Sequence, residues 1–277
     1  MEEVSVIGFG EAGMALTPAG ARGFDIRLDD GKRDDFRRYG VRACATAEEA
    51  LAGATIVLSL VTADQALRAA QACSTLLDPG ALWLDFNSVS PDAKRSAARA
   101  VEDAGGRYVD VAVMAPVLPA RRRVPLLVAG PNADAGIAAL GQMGFTNLRA
   151  VAGPVGAAAA IKMIRSVMIK GIEALSAECA LAADAAGVLP QVLASLGDDW
   201  DERFDYNLDR MLVHGTRRAA EMSEVVATLD SLGTGSAMSR ATLLRQTALG
   251  ALGIVPPSGL DAKLAALRPS RPAEQAA

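Results

Sequence analysis

The stretch VIGFGEAG, Val6 to Gly13, places three glycines at the spacing G-x-G-x-x-G directly after an apolar run. In a strand, turn and helix, Gly8 permits the tight turn, Gly10 lets backbone approach a pyrophosphate, and Gly13 lets the helix pack close to the strand. The amides of Phe9, Gly10, Glu11 and Ala12 are then expected to face phosphates from a helix N-terminus. The alternative is a glycine turn that binds nothing. Context favours the cradle: a strand precedes it, a helical pattern follows, and an acid closes the next strand. That second strand is read as FDIRL, ending in Leu28-Asp29-Asp30. Asp29 or Asp30 can accept both ribose hydroxyls of NAD and would repel a 2′-phosphate. Lys32 and Arg33 follow at once and would suit the 2′-phosphate of NADP instead, or simply sit in a solvated turn. NAD is expected ahead of NADP.

Residues 1–152 alternate apolar runs with helical stretches. VSVIG, FDIRL, ATIVLSLV, ALWLDF, RYVDVAV and VPLLVAG read as strands, and their near-continuous apolar character suits a parallel sheet buried on both faces. Ser90-Pro91-Asp92 starts a helix with a capping serine, a proline in the first turn and an acid beside it. Gly105-Gly106 stops that helix. The expected first domain is a Rossmann-type, doubly wound α/β sheet. From about Gly156 the pattern becomes all-helical. Ala157 to Ala186 reads as one long inter-domain helix of about 45 Å. Residues 153–268 form the expected helical substrate and dimerisation domain, and 269–277 a disordered tail. A long apolar helix in a small domain is expected to pack against a partner subunit, so a homodimer follows.

Composition narrows the chemistry. The 277 residues carry a net charge of −4, which argues against general nucleic-acid binding. No uncharged run has the length of a membrane helix, and the N-terminus enters a strand at once, so a cytoplasmic protein is expected. Cys44, Cys73 and Cys179 are scattered, without a C-x-x-C pair, and the chain has one histidine, His214. Neither a metal site nor a Ser-His-Asp hydrolase fits. The acids Asp198, Asp199, Asp201 and Glu202 read as a loop.

Lys162 lies in the apolar stretch Ala157 to Ile164, and Ser166, Ile169 and Glu173 follow it on one helix side. Apolar surroundings strip hydration from a lysine and bring it toward the range useful for proton transfer. From spacing alone, a lysine snorkelling at the helix edge is the favoured reading.

Four ordered motifs then carry a resemblance. VIGFGEAG, DFNSVSP at Asp85 to Pro91, DVAVMAPV at Asp110 to Val117 and GPVGAAAAIKMIRS at Gly153 to Ser166 together resemble the β-hydroxyacid dehydrogenase superfamily, which includes 3-hydroxyisobutyrate and 6-phosphogluconate dehydrogenases. HGTRRAAEM at His214 to Met222 is similar to a branch with a phosphogluconate-dehydrogenase-like helical domain. The resemblance implies that Lys162 is the general acid/base and that Val61 and Thr62 line the nicotinamide side. It further implies that Asn87 lies near the nicotinamide ribose and that Val113, Met114, Ala115, Pro116 and Val117 form the substrate loop. Two departures matter. Met114-Ala115-Pro116 stands where the family carries Ser-Gly-Gly, and Ser166 where it carries Asn. A serine offers one donor where an amide offers two. An apolar loop points to a less polar substrate than a sugar phosphate.

Arg218, with Arg217, could reach substrate, or could pair with Glu221 and Glu224. Arg121, Arg122 and Arg123 could hold a carboxylate, or form a solvated loop. The expected activity is hydride transfer between a nicotinamide and a small hydroxy acid or related alcohol. An imine reductase and a non-catalytic dinucleotide sensor are the rivals.

Overall fold

The structure, a computed structural model, describes residues 3–268; the expected tail at 269–277 lies outside them. The chain divides into two compact units, Met1–Ile164 and Arg165–Ala277. The division falls inside a helix, twelve residues later than the expected boundary at 152/153.

The first unit is an eight-stranded sheet. Its strands are β1 (Val4–Ile7), β2 (Arg22–Phe24), β3 (Arg42–Ala43), β4 (Ile56–Ser59), β5 (Leu82–Asp85), β6 (Arg107–Val113), β7 (Leu126–Ala129) and β8 (Leu148–Ala150). Their order is β3-β2-β1-β4-β5-β6-β7-β8. All neighbours are parallel except β6 and β7. The sheet is thus the expected Rossmann-type doubly wound one, with one antiparallel pair added. The connection from Met114 to Pro125 holds only a short 3-10 turn, Arg121–Arg123, and no crossover helix, so the chain can only fold back. Alternation along each strand feeds two cores. Val6, Leu58, Leu84, Val109 and Val111 enter one, whereas Ile7, Val57, Trp83 and Tyr108 enter the other.

The helices of this unit are α1 (Glu11–Leu16), α2 (Asp30–Arg38), α3 (Ala47–Leu51), α4 (Ala66–Ser74), α5 (Pro91–Asp103) and α6 (Ala133–Gln142). Helix α5 has the expected ends. Ser90 Oγ accepts from the amide of Ala93, and Gly105, at φ 88°, lets the amide of Gly106 return to the Val101 carbonyl.

Helix α7 (Ala157–Ala185) runs 29 residues, as expected, and begins in the first unit. The second unit adds α8 (Leu189–Leu196), α9 (Trp200–Ser231), α10 (Ala237–Gly250) and α11 (Leu260–Leu267). Ala174, Ala177 and Ala180 of α7 share a core with Phe204, Leu208, Met211 and Leu249. Gly215 and Gly250 let α9 and α10 touch backbone to backbone. A Cβ on Gly250 would stand 2.4 Å from the Thr216 amide nitrogen. The glycine of HGTRRAAEM is therefore a packing residue. Among the described residues no helix is long and apolar enough to cross a membrane.

Candidate functional site

The glycine loop joins β1 to α1. Gly8 has φ +90°, and a Cβ there would lie 2.5 Å from the Leu60 carbonyl oxygen. A Cβ on Gly13 would lie 2.6 Å from the Gly8 oxygen. A Cβ on Gly10 meets nothing within 4 Å, so this glycine faces open space. Gly10 is also the N-cap of α1 and brings no side chain to its first-turn amides. The residues thus fit a pyrophosphate: two glycines close the turn and the third leaves room beside uncapped donors. Gly10, Glu11 and Ala12 would hold the phosphates of a dinucleotide.

Phe9 departs from the expectation. Its amide donates to Asp25 Oδ2 at 2.7 Å, its carbonyl accepts from Lys32 Nζ at 2.9 Å, and its ring stacks on Phe36 at 4.0 Å between centroids. It builds the loop from beneath. The second strand also ends earlier than expected, at Phe24, so FDIRL is not a strand and Asp29-Asp30 do not close one. Asp29 caps α2, accepting from the Lys32 amide at 2.8 Å, and Asp30 is the first residue of that helix. The acid at the strand end is Asp25, which sequence reasoning missed. Its signal was the helix count: α1 has only six residues, so the acid arrives early. Asp25 also accepts from the Arg27 amide through Oδ1 at 2.9 Å, so it ties the end of β2 to the glycine loop. Lys32 is already committed to Phe9 and to Asp35, 3.1 Å away, whereas Arg33 is exposed.

Beyond β4 and β5 the chain is tied together by Asn87. Its Oδ1 accepts from the Val61 amide at 2.8 Å, and its Nδ2 donates to Ser59 Oγ at 2.9 Å. Asn87 is buried, so it fixes the Val61-Thr62 turn rather than standing open to solvent. Next to it the buried hydroxyl of Ser88 has no partner among the described residues. Sequence reasoning gave Ser88 no role.

Beneath this rim lies a buried charge network. Lys94 Nζ is 3.1 Å from Asp85 Oδ1 and 3.5 Å from Asp110 Oδ1, and all three side chains are at most 1% exposed. Tyr108 donates to Asp85 Oδ2 at 2.5 Å. Burial first, and the adjacent Asp85 carboxylate second, push the phenol well above its usual value. Asp110 Oδ2 accepts from the amides of Gly156, Ala158 and Ala159 at 3.0, 3.1 and 3.2 Å. These are orphan donors of the first turn of α7, so a strand residue caps that helix. Lys162 stands about one turn beyond the cap and is half-buried.

The expected substrate loop leaves β6 at Val113. The Met114 amide donates to the Pro125 carbonyl, and Ala115 and Pro116 are exposed. Of the three arginines, Arg122 donates to the Met143 carbonyl at 2.7 Å and Arg121 lies over the Tyr39 ring at 6.0 Å, so neither serves as a loose anion clamp.

In the second unit, Ser166 is buried and accepts from Lys170 Nζ at 3.1 Å, and Lys170 pairs with Glu221 Oε2 at 2.9 Å. One turn on, buried Glu173 receives both Nε and Nη2 of Arg218, and Gln246 Nε2 at 3.0 Å. Arg218 is thus spent on Glu173, a partner 45 residues away, and not on Glu221 or Glu224. An ion pair is one of the two expectations for Arg218, and its partner is a different acid from the two expected. Lys170 was not singled out, because its partner Glu221 lies on another helix. His214 is half-buried on α9. Asp199 pairs with Arg203, and among the described residues no group of three or more His, Cys, Asp or Glu is disposed to hold a metal.

The chain can be set beside known proteins. Residues 3–145 match the NAD binding domain of 6-phosphogluconate dehydrogenase, and residues 183–249 match a domain of unknown function, DUF1932. A conserved hypothetical protein from Sinorhizobium meliloti 1021 is 35% identical, with a TM-score of 0.75 over 96% of this chain and 97% of that one. The 3-hydroxyisobutyrate dehydrogenase of Mycobacterium tuberculosis, solved with L-serine, shares the fold at 16% identity, with a TM-score of 0.74 over 97% of this chain and all of that one. An imine reductase from Streptomyces aurantiacus is 21% identical, with a TM-score of 0.53 over 97% of this chain and all of that one.

Proposed function

Given that the chain belongs to the β-hydroxyacid dehydrogenase superfamily, we propose that it is an NAD(P)-dependent oxidoreductase acting at the hydroxyl or carbonyl carbon of a small hydroxy acid or related alcohol. The observation that carries this reading is the cap on α7. Asp110 holds the first turn of α7, the helix that carries Lys162, to the sheet.

The bound nicotinamide would supply or take up the hydride. The chain's own residues would do the rest. Gly10, Glu11 and Ala12 would bind the pyrophosphate through main-chain donors, and Asp25 the adenine ribose. That acid supports NAD, and exposed Arg33 leaves NADP open. Asn87 would keep the Val61-Thr62 turn in place beside the ring. In reduction, the Lys162 ammonium would give its proton to the carbonyl oxygen as the new C–H bond forms. In oxidation, its neutral amine would take the hydroxyl proton. Ser166, one turn further on α7, would donate to a substrate oxygen.

The test is Lys162→Ala, assayed at the NAD(P)H absorbance after a screen of hydroxy acids and alcohols. The cofactor Kd should stay within about threefold while kcat falls by about 10²-fold or more. Near-normal kcat would remove Lys162 from the mechanism.

A second reading, reduction of an imine, draws on the apolar Met114-Ala115-Pro116 and on the fold shared with the imine reductase. A panel of imines and carbonyls with NADH and NADPH separates the two.

We also propose a homodimer built on α7. Ile161, Ile164, Met168, Ile172 and Leu175 recur along one side of that helix and are 41–64% exposed. Stable dimers bury such stripes, at about 800 Å² per partner. The double substitution Met168→Asp and Ile172→Asp should give monomers by light scattering. A wild-type chain that is monomeric at all concentrations would end this proposal.

A further inference from the structure

The two inward polar residues of α7 just past Lys162 have donors left over. Lys170 is 6% exposed, and its ammonium has three N–H bonds and no acceptor capacity. One goes to Ser166 Oγ at 3.1 Å and one to Glu221 Oε2 at 2.9 Å. Among the described residues no acceptor meets the third. Glu173, the next acid along the helix, is taken by Arg218 and Gln246. Ser166 is also 6% exposed, and it accepts from a group that can only donate, so its own proton points elsewhere. Two adjacent donors therefore remain, withdrawn from bulk water, on the helix that carries Lys162. A buried donor without an acceptor is costly, so such a pair is complete only when something with two oxygens meets it.

We propose that Ser166 and Lys170 form the subsite for a substrate carboxylate, a claim that rests on the oxidoreductase reading for its word "substrate". A planar carboxylate presents two oxygens side by side to two donors. The charge count argues against a dianion. Lys170 is balanced by Glu221 and Arg218 by Glu173, so these two pairs offer hydrogen bonds without the net positive charge that a phosphate dianion needs. The substrate class is thus a monocarboxylic hydroxy or keto acid, held by the helix rather than by the Met114-Ala115-Pro116 loop. Lys170 acts here as a binding residue and also fixes Ser166 as a donor.

The experiment titrates isobutyrate and its neutral isostere isobutyramide into the full chain loaded with NAD, by calorimetry and without turnover. Isobutyrate should bind at least tenfold more tightly than isobutyramide. Ser166→Ala and Lys170→Met should each erase that preference while the NAD affinity holds. Lys170→Met leaves Glu221 without this cation, so the double variant Lys170→Met with Glu221→Gln removes both charges and guards against loss of fold. Preference for the acid that survives in the double variant, or that is absent from the wild type, overturns the subsite. Lys162→Ala should keep the preference. An acid preference that depends on Lys170, in a chain with no turnover, would sink the oxidoreductase reading and leave the anion site standing. Turnover that depends on Lys162, with binding indifferent to Lys170, would do the reverse.

Discussion

Asp110 accepts the amide of Gly156 at 3.0 Å across 46 residues of chain, and the same oxygen takes two more amides of the first turn of α7. Its other oxygen faces Lys94. One carboxylate therefore joins a strand, a buried lysine and the helix that carries Lys162. Removing it with Asp110→Ala leaves Lys94 and three amides short of a partner. The expected cost is about 3–5 kcal/mol, because a broken buried pair strands the remaining charge. Urea unfolding measures it. Asp110→Asn keeps an acceptor for the helix and should cost less. Equal losses in the two variants would mean that the helix cap contributes nothing.

The glycines of the loop should separate stability from binding. Gly8→Ala puts a side chain at φ +90° against the Leu60 carbonyl, at a cost of about 1–3 kcal/mol, visible as a lower Tm. Gly10→Ala has an ordinary φ of −80° and open space around it. Its Tm should barely move, while calorimetry shows cofactor affinity weakened by about tenfold or more, since the new methyl fills the phosphate cradle. Unchanged affinity in Gly10→Ala would rule out the cradle.

Asp25 and Asp29 should respond in opposite ways. Asp25→Ala is expected to weaken NAD binding about tenfold and to narrow any preference over NADP, by loss of the ribose acceptor. Asp29→Ala should leave both affinities alone and lower stability by about 1 kcal/mol, the usual worth of an N-cap. The reverse pattern would return the ribose to the start of α2.

Alkaline stability should follow Cys73. Burial pushes its thiol from 9.0 to about 11. Between those values the unfolded chain has released a proton that the folded chain keeps. Stability then falls as pH rises, by about 1.4 kcal/mol per unit for this group. Cys73→Ala should remove that decline, leaving only the loss above pH 10 from Tyr108, whose phenol is also held neutral by burial and Asp85. Denaturant midpoints from pH 8 to 11 provide the check. In the native protein at pH 8, a thiol reagent should modify Cys179 and spare buried Cys44 and Cys73. Rapid modification of Cys73 would contradict its burial.

Much of this protein was readable along the chain. The spacing of Gly8, Gly10 and Gly13 announced the strand, turn and helix. Ser90-Pro91 and Gly105-Gly106 marked both ends of α5, and the unbroken helical pattern gave α7 to within one residue. These features depend on neighbours a few residues apart, because capping, turn conformation and periodicity are local physics. What escaped was decided at a distance. Asp25 became the strand-end acid because β2 stops at Phe24, where its pairing with β1 ends, one residue past its last pair with β3. β7 turned antiparallel because its connection lacks a helix. Lys94 met Asp110, Arg218 met Glu173, and Lys170 met Glu221 at separations of 16, 45 and 51 residues, and no periodicity names a partner at such a range. Periodicity tells which side of a helix turns inward; only the packing of one element on another decides which buried charge finds which, and therefore which donors remain for a ligand.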